Sequence, residues 1–156
     1  MRIAVVGAGR MGRCHGQAIK SLGLDFVGIA DPLEEARVLA ITEWGLSPNQ
    51  VHEDASSMLR ALDPECVVVA TTASTHAAFA VEAIDLGARY VLCEKPLATS
   101  LADCDRILAA SEDRGASVAV NHQMRFMEQY TIARTSWKAI RSGGSAVLRW
   151  LPAISV

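Results

Sequence analysis

The sequence predicts an α/β fold built on a doubly wound, parallel sheet. Three observations lead to this prediction: short apolar runs alternate with helical patterns, the connections between them are short, and the first run leads directly into a glycine-rich turn. Apolar runs without polar alternation are typical of strands that are buried on both faces, as in parallel sheets. Strands that alternate with helices through short connections form such a sheet.

Each element has a local signal for its start or its end. Asp54 and Ser100 are suited to cap helices, because their side-chain oxygens can accept a backbone N–H. Gly45 and Gly87 are typical of the residue that ends a helix. The strands are expected at about 3–6, 26–30, 51–53, 66–70, 90–93 and 118–120, and the helices at about 11–22, 33–44, 55–62, 76–86, 101–114 and 127–141.

The pattern changes after Asn121, so we expect a first domain at residues 1–121 and the beginning of a second, α+β domain at 122–156. Gly143 and Gly144 would end the helix of this second part, and residues 145–156 are mostly apolar and strand-like. An exposed apolar strand without a neighbouring strand promotes aggregation unless another chain or surface packs on it. It is therefore a candidate contact for a homo-oligomer or for another partner.

Composition excludes several classes of protein. The 156 residues are 51% apolar and 21% charged with a net charge of −2, which offers no basic surface for nucleic acid. No run approaches the roughly 20 apolar residues of a membrane span, and the opening residues lack a signal peptide, so we expect a cytoplasmic protein. The four cysteines lack metal-ligand spacing and are interpreted as reduced thiols, with Cys66 and Cys93 in the core. No metal site is predicted.

Gly7, Gly9 and Gly12 follow the first apolar run, and Asp31 ends the second one. This is the spacing of a dinucleotide-binding fingerprint: the glycines allow a tight turn, a close approach to a pyrophosphate and close helix–strand packing. The helix that follows directs unpaired N–H groups at the phosphates. The alternative is an ordinary turn beside a solvated aspartate.

Asp31 also bears on the choice of cofactor. A carboxylate at this position can accept hydrogen bonds from the ribose hydroxyls of NAD, and it repels the 2′-phosphate of NADP. No arginine follows it, because the next residues are Pro32 and Leu33. The sequence therefore predicts NAD rather than NADP.

Two further strand ends have polar side chains. Thr71, Thr72, Ser74, Thr75 and His76 follow the fourth strand. They are candidates for cofactor contacts, and the alternative is that Ser74 or Thr75 only caps the next helix.

Glu94, Lys95 and Pro96 follow the fifth strand. A lysine fixed at a strand end can bind a substrate hydroxyl or polarise a carbonyl. The alternative is a surface ion pair between Lys95 and Glu94, which would contribute little energy.

Together these motifs resemble the glucose–fructose oxidoreductase, inositol dehydrogenase and rhizopine-catabolism family, over the whole chain. The resemblance implies a Rossmann fold and an NAD(P)-dependent oxidoreductase that acts on sugars, polyols or related small molecules. It implies Lys95 as the catalytic residue, and Lys95, Gln123 and Arg125 as substrate contacts. The implied cofactor contacts are Gly7, Ala8, Gly9, Arg10, Met11, Gly12, Asp31, Thr71, Thr72, Ser74, His76, Glu94 and Asn121.

The chain departs from the family pattern in two ways. Ala73 stands where many relatives have proline, and relatives continue into a longer second domain with an Asp and a His at helical spacing, whereas no Asp, Glu or His follows Glu128 here. Three hypotheses follow: a reversible alcohol–carbonyl oxidoreductase, a truncated module that binds NAD without turnover, and a subunit whose final strand completes a partner's sheet.

Overall fold

The computed structural model describes residues 1–141. The chain divides into two compact units, residues 1–121 and residues 122 onward. The strands are β1 Arg2–Val6, β2 Asp25–Ala30, β3 Val51–His52, β4 Cys66–Val69, β5 Tyr90–Glu94 and β6 Ser117–Asn121. The helices of the first unit are α1 Arg10–Ser21, α2 Glu34–Trp44, α3 Ala55–Leu62, α4 His76–Asp85 and α5 Leu101–Arg114.

The six strands form one sheet in the order β3-β2-β1-β4-β5-β6, and every pair of neighbours is parallel. The order reverses between β1 and β4, so a crevice opens there at the carboxyl ends of the strands. The predicted fold class is therefore confirmed. The expected strand in residues 145–156 lies outside the described residues.

Two apolar clusters cover the two faces of the sheet, as a doubly wound fold requires. On one face, Met58, Ile84 and Ile107 from α3, α4 and α5 pack on the strands. On the other face, Ile19 of α1 and Trp44 of α2 do so. Because both faces are covered, the strands are almost wholly apolar, which is the signal that the sequence shows.

The structure shows the predicted capping or terminating residue at three helix ends. The Asp54 carboxylate accepts the backbone N–H of Ser57 at 2.7 Å, and Ser100 accepts that of Asp103 at 3.1 Å. Gly45 ends α2 in the left-handed region with φ of +65°. The caps at Asp54 and Ser100 fix where the loops after β3 and β5 end, at the carboxyl edge of the sheet.

Cys66 and Cys93 lie in the core as predicted. Burial raises the pKa of the Cys66 thiol, and burial together with the charge of Glu94 raises the pKa of Cys93 to about 12. Both side chains are therefore neutral packing groups at physiological pH.

The second unit begins with a 3₁₀ turn at Gln123–Phe126, which is followed by α6 at Glu128–Arg141. Within residues 1–141, no helix is both long and apolar enough to cross a membrane.

Candidate functional site

A cavity of about 700 Å³ lies at the carboxyl ends of the strands, a volume in the usual range for ligand sites. It extends from the end of β2 to the end of β5, which is about 14 Å at the usual strand spacing. Ten of the predicted site residues line it: Gly7, Gly9, Arg10, Met11, Asp31, Thr71, Thr72, His76, Glu94 and Lys95.

The glycine turn brings the backbone close to the crevice. Gly7 has a φ of +97°, and a Cβ there would lie 2.7 Å from the carbonyl oxygen of Ala70. A Cβ on Gly12 would lie 1.8 Å from the carbonyl oxygen of Gly7, so helix and turn touch. Gly9 differs, because a Cβ there would meet no atom within 4 Å. Gly9 therefore leaves open a space that a side chain would fill.

The amino end of α1 begins directly after Gly9. No side chain caps this end, and its first turn contains no acidic residue. Its first N–H groups and the positive end of the helix dipole are thus suited to an anion such as a diphosphate.

Asp31 lies beside the glycine turn and is 8% exposed. One carboxylate oxygen accepts the N–H of Ala8 at 2.7 Å, and the other accepts the N–H of Leu33 at 2.9 Å. An ionised carboxylate has about four acceptor positions, so each oxygen can still accept a hydroxyl. The turn and the carboxylate therefore form one continuous site.

Acidic side chains cluster at the Asp31 end of the cavity, and Arg10 lines the same cavity beside the glycine turn. Glu53 and Asp54 also line this end of the cavity. The guanidinium of Arg37 donates at 2.8 Å to the carbonyl oxygens of Asp31 and Pro32 and lies 3.9 Å from Glu53. Its hydrogen bonds are thus directed at the β2–α2 loop itself.

The loop after β4 forms the next part of the wall. A 3₁₀ turn at Ala73–Thr75 precedes α4, and Thr75 stands at the cap position of α4 without capping it. Its hydroxyl donates instead to the hydroxyl of Thr71 at 2.8 Å. The alternative that Ser74 or Thr75 caps this helix is therefore wrong, because neither side chain accepts a backbone N–H of α4.

His76 is 1% exposed and joins the loops after β4 and β5. Nδ1 lies 2.7 Å from the carbonyl oxygen of Pro96, and Nε2 lies 3.2 Å from that of Thr71. Both partners are acceptors, and a neutral imidazole has one N–H to donate. The imidazole therefore donates a hydrogen bond to one of these carbonyl oxygens and contacts the other, and it lies between two loops of the cavity wall.

Glu94 is the last residue of β5, paired in register with Asn121 of β6. Its Oε1 contacts Nε2 of His15 at 2.7 Å and accepts Nδ2 of Asn121 at 2.7 Å, while Oε2 accepts the N–H of Lys95 at 3.3 Å. Burial by itself raises the pKa of Glu94. The hydrogen bonds from Asn121 and His15, the charge of His15 and the Lys95 N–H outweigh it and lower this pKa below its ordinary value.

Lys95 is exposed and lines the cavity directly after Glu94. Among residues 1–141, no ion pair joins Lys95 to Glu94, and the buried Glu94 carboxylate is instead bonded to His15 and Asn121. The alternative of a surface ion pair is therefore wrong. The ammonium group stands where it can reach a ligand oxygen.

The lowered pKa of Glu94 gives a prediction for acid stability. The carboxylate stabilises the fold fully above pH 4.5, its ordinary pKa, and this contribution is lost as pH falls through the lowered value. In Glu94→Gln we expect a lower unfolding temperature at about pH 7, and a difference from the unchanged chain that shrinks towards about pH 3. Thermal unfolding followed by circular dichroism measures this. A constant difference across the range would contradict the assignment.

Four predicted cofactor residues lie near the cavity without lining it, namely Ala8, Gly12, Ser74 and Asn121. Ala8 and Asn121 act through hydrogen bonds to Asp31 and Glu94. Gln123 and Arg125 belong to the 3₁₀ turn of the second unit. Their contact with nicotinamide or substrate stays a prediction.

The sequence analysis missed His15, and it missed Pro32, Leu33 and Phe79 of the cavity wall. His15 follows Met11 by four positions on α1, which places the two side chains on one face of the helix. Because Met11 lines the cavity, this spacing was the available signal. Pro32 and Leu33 lie in the loop after β2, and Phe79 follows His76 by three positions on α4.

A parallel sheet in this order, with a glycine turn at the switch point and a carboxylate after β2, defines a dinucleotide-binding domain. The model of the oxidoreductase family with an NAD-binding Rossmann fold matches residues 1–122. The chain therefore belongs to this family, the glucose–fructose oxidoreductase, inositol dehydrogenase and rhizopine-catabolism family that its motifs resemble.

Relatives and solved structures agree with this assignment. The inositol 2-dehydrogenase of Acidothermus cellulolyticus is 33% identical over 146 residues, which are 92% of this chain and 41% of that protein. The WlbA dehydrogenase of Bordetella pertussis, solved with NADH and UDP-GlcNAcA, is 30% identical with a TM-score of 0.80, over 91% of this chain and 42% of that one. A scyllo-inositol dehydrogenase of Lactobacillus casei, at 19% identity and a TM-score of 0.79, shares the fold over 92% of this chain and 41% of its own. The chain thus spans about two fifths of the length of these proteins.

Proposed function

We propose that this chain is the cofactor-binding part of an NAD-dependent oxidoreductase that interconverts a hydroxyl and a carbonyl group on a sugar, a polyol or a related small molecule. The observation that supports this most is the single cavity that joins Asp31, the glycine turn and Lys95. In this proposal residues 1–121 hold the cofactor, and residues 122–156 begin a substrate domain.

The residues along the wall of the cavity follow the order of the parts of a dinucleotide, from the adenosine end to the nicotinamide end. Asp31 would accept the hydroxyls of the adenosine ribose, and the N–H groups of α1 would bind the diphosphate above Gly9. The nicotinamide end would then lie near Thr71, Thr72 and Glu94. The negative charges of Asp31, Glu53 and Asp54 favour NAD over NADP, because a 2′-phosphate would add charge of the same sign.

Lys95 would act on the substrate. Bound NAD supplies an acceptor for hydride when the hydroxyl is oxidised. In the direction of reduction, the Lys95 ammonium would donate its proton to the substrate carbonyl oxygen while hydride arrives at the carbonyl carbon. In the direction of oxidation, the hydroxyl proton would return to the Lys95 amine. Glu94 would hold the lysine backbone in place through the Lys95 N–H.

The experiment has two stages. NADH is titrated into the purified chain by fluorescence, and NAD reduction is then followed with a panel of inositols and sugars. Saturable binding with turnover supports the full proposal. Lys95→Met is the matched variant, for which we expect unchanged NADH binding and loss of turnover. The absence of NADH binding would overturn the proposal.

A second candidate is a module that binds NAD and catalyses nothing by itself. It is favoured by the lack of any Asp, Glu or His after Glu128 in this sequence, since these are the usual side chains for proton transfer. Binding without turnover on any compound of the panel would select this candidate.

A further inference from the structure

His15 lies on α1 at the junction between the two ends of the proposed site. The helix begins directly after the glycine turn, and His15 lies on it four positions after Met11, which lines the cavity. The amino end of this helix is the proposed diphosphate site. His15 itself is not among the residues that line the cavity. Any effect it has on a ligand must therefore pass through another residue.

That residue is Glu94. The Nε2 atom of His15 lies 2.7 Å from Oε1 of Glu94, and the two side chains are only 14% and 6% exposed. The pair joins positions 79 apart in the sequence and links α1 to the end of β5. A hydrogen bond to a carboxylate is among the stronger kinds, and its loss is costly when the carboxylate is buried.

Glu94 transmits this contact to Lys95. Its Oε1 is shared by His15 and Asn121, while Oε2 accepts the backbone N–H of Lys95 at 3.3 Å. Both oxygens are thus held, and the rotation of the carboxylate is fixed. Removal of His15 would leave Oε1 with the hydrogen bond from Asn121, and the orientation of the carboxylate that presents Oε2 to Lys95 would be less well defined.

We propose that His15 is a positioning residue for the nicotinamide end of the site: it fixes the carboxylate of Glu94, which lines the cavity there, and through Glu94 the backbone of Lys95. This inference rests on the proposed function. It assigns to a histidine outside the cavity an effect on one end of the cofactor and none on the other.

Two probes separate the two ends, because ADP contains the adenosine and the diphosphate but no nicotinamide. For His15→Ala we expect NADH to bind about tenfold more weakly, as for the loss of a charge-assisted hydrogen bond, and ADP to bind as it does to the unchanged chain. Binding is measured by calorimetry, and folding is checked by circular dichroism. Cys14→Ala, one position earlier on α1 and exposed, is the matched control and is expected to bind both ligands normally.

His15→Gln gives a second readout. The amide nitrogen of glutamine can donate to Oε1 of Glu94 at a similar reach, so we expect NADH affinity within about threefold of the unchanged chain. This variant also keeps the test valid if His15→Ala fails to fold. In substrate assays of an active protein, His15→Ala should lower kcat, and His15→Gln should restore it.

Three results would overturn the inference: equal losses of NADH and ADP affinity in His15→Ala, no loss of either, or no recovery of NADH affinity in His15→Gln. Equal losses would mean that His15 only supports α1 as a whole. If the unchanged chain bound ADP and not NADH, or bound neither, the proposed function itself would be wrong. Failure of the inference is thus distinguished from failure of the function.

Discussion

Gly9→Val is expected to abolish measurable NADH binding while the unfolding temperature stays close to that of the unchanged chain. Gly9 has ordinary dihedral angles, with φ of −64° and ψ of −170°, so a side chain is not strained there. A Cβ would meet no protein atom within 4 Å, and Gly9 lines the cavity. The added side chain would therefore occupy the space of the diphosphate. Fluorescence titration and thermal unfolding measure the two effects separately.

Gly12→Ala is the matched comparison and should behave in the opposite way. Its Cβ would lie 1.8 Å from the carbonyl oxygen of Gly7, a backbone atom that cannot move aside without distortion of the turn. We expect a loss of about 3 kcal/mol or more in the free energy of unfolding. NADH binding at normal strength to Gly9→Val would show that the diphosphate does not lie over this turn.

Asp31→Asn is expected to weaken the binding of NADH by about ten- to hundredfold, because hydrogen bonds to a charged acceptor are replaced by weaker ones to a neutral acceptor. NADPH should bind no more weakly than before, since the repulsion of its 2′-phosphate by this residue is removed. Asparagine keeps one oxygen that can accept the N–H of Ala8 or Leu33, whereas alanine would leave both unpaired. The measurement is the ratio of the two dissociation constants.

This ratio corrects for general damage to the loop, which would affect both cofactors alike. Asp113→Asn is the matched control: this side chain is 81% exposed in the last turn of α5 and does not line the cavity, so we expect both constants to change little. A stronger affinity of the unchanged chain for NADPH than for NADH would contradict the choice of NAD.

The glycine turn and Asp31 could be predicted from the sequence because local chemistry determines them. A strand followed by three spaced glycines has few alternative structures. In a βαβ unit the second strand ends beside this glycine turn, and in this chain Asp31 follows that end. The structure places Asp31 against the N–H of Ala8, within this turn. The sheet was predictable for a related reason, since strands buried on both faces are apolar throughout.

The contact between His15 and Glu94 could not be predicted in the same way. The two residues are 79 positions apart. They meet only because β4 and β5 follow β1 on the side of the sheet opposite to β2. Strand order is a property of the whole sheet, and no local pattern contains it. The threonine turn shows a different limit, because the Thr75 hydroxyl contacts the Thr71 hydroxyl at 2.8 Å and the carbonyl oxygen of Thr72 at 2.9 Å, and these contacts form only in the folded loop.

The shared carboxylate of Glu94 makes positions 15, 94 and 121 interdependent. Because one oxygen serves both His15 and Asn121, the cost of changing one donor depends on whether the other is present. Libraries that vary one of these positions at a time are expected to contain mostly variants with weaker NADH binding. Alternative sets of side chains would be recovered only when all three codons vary together, so evolution at this corner of the sheet is expected to proceed by epistatic, correlated exchange.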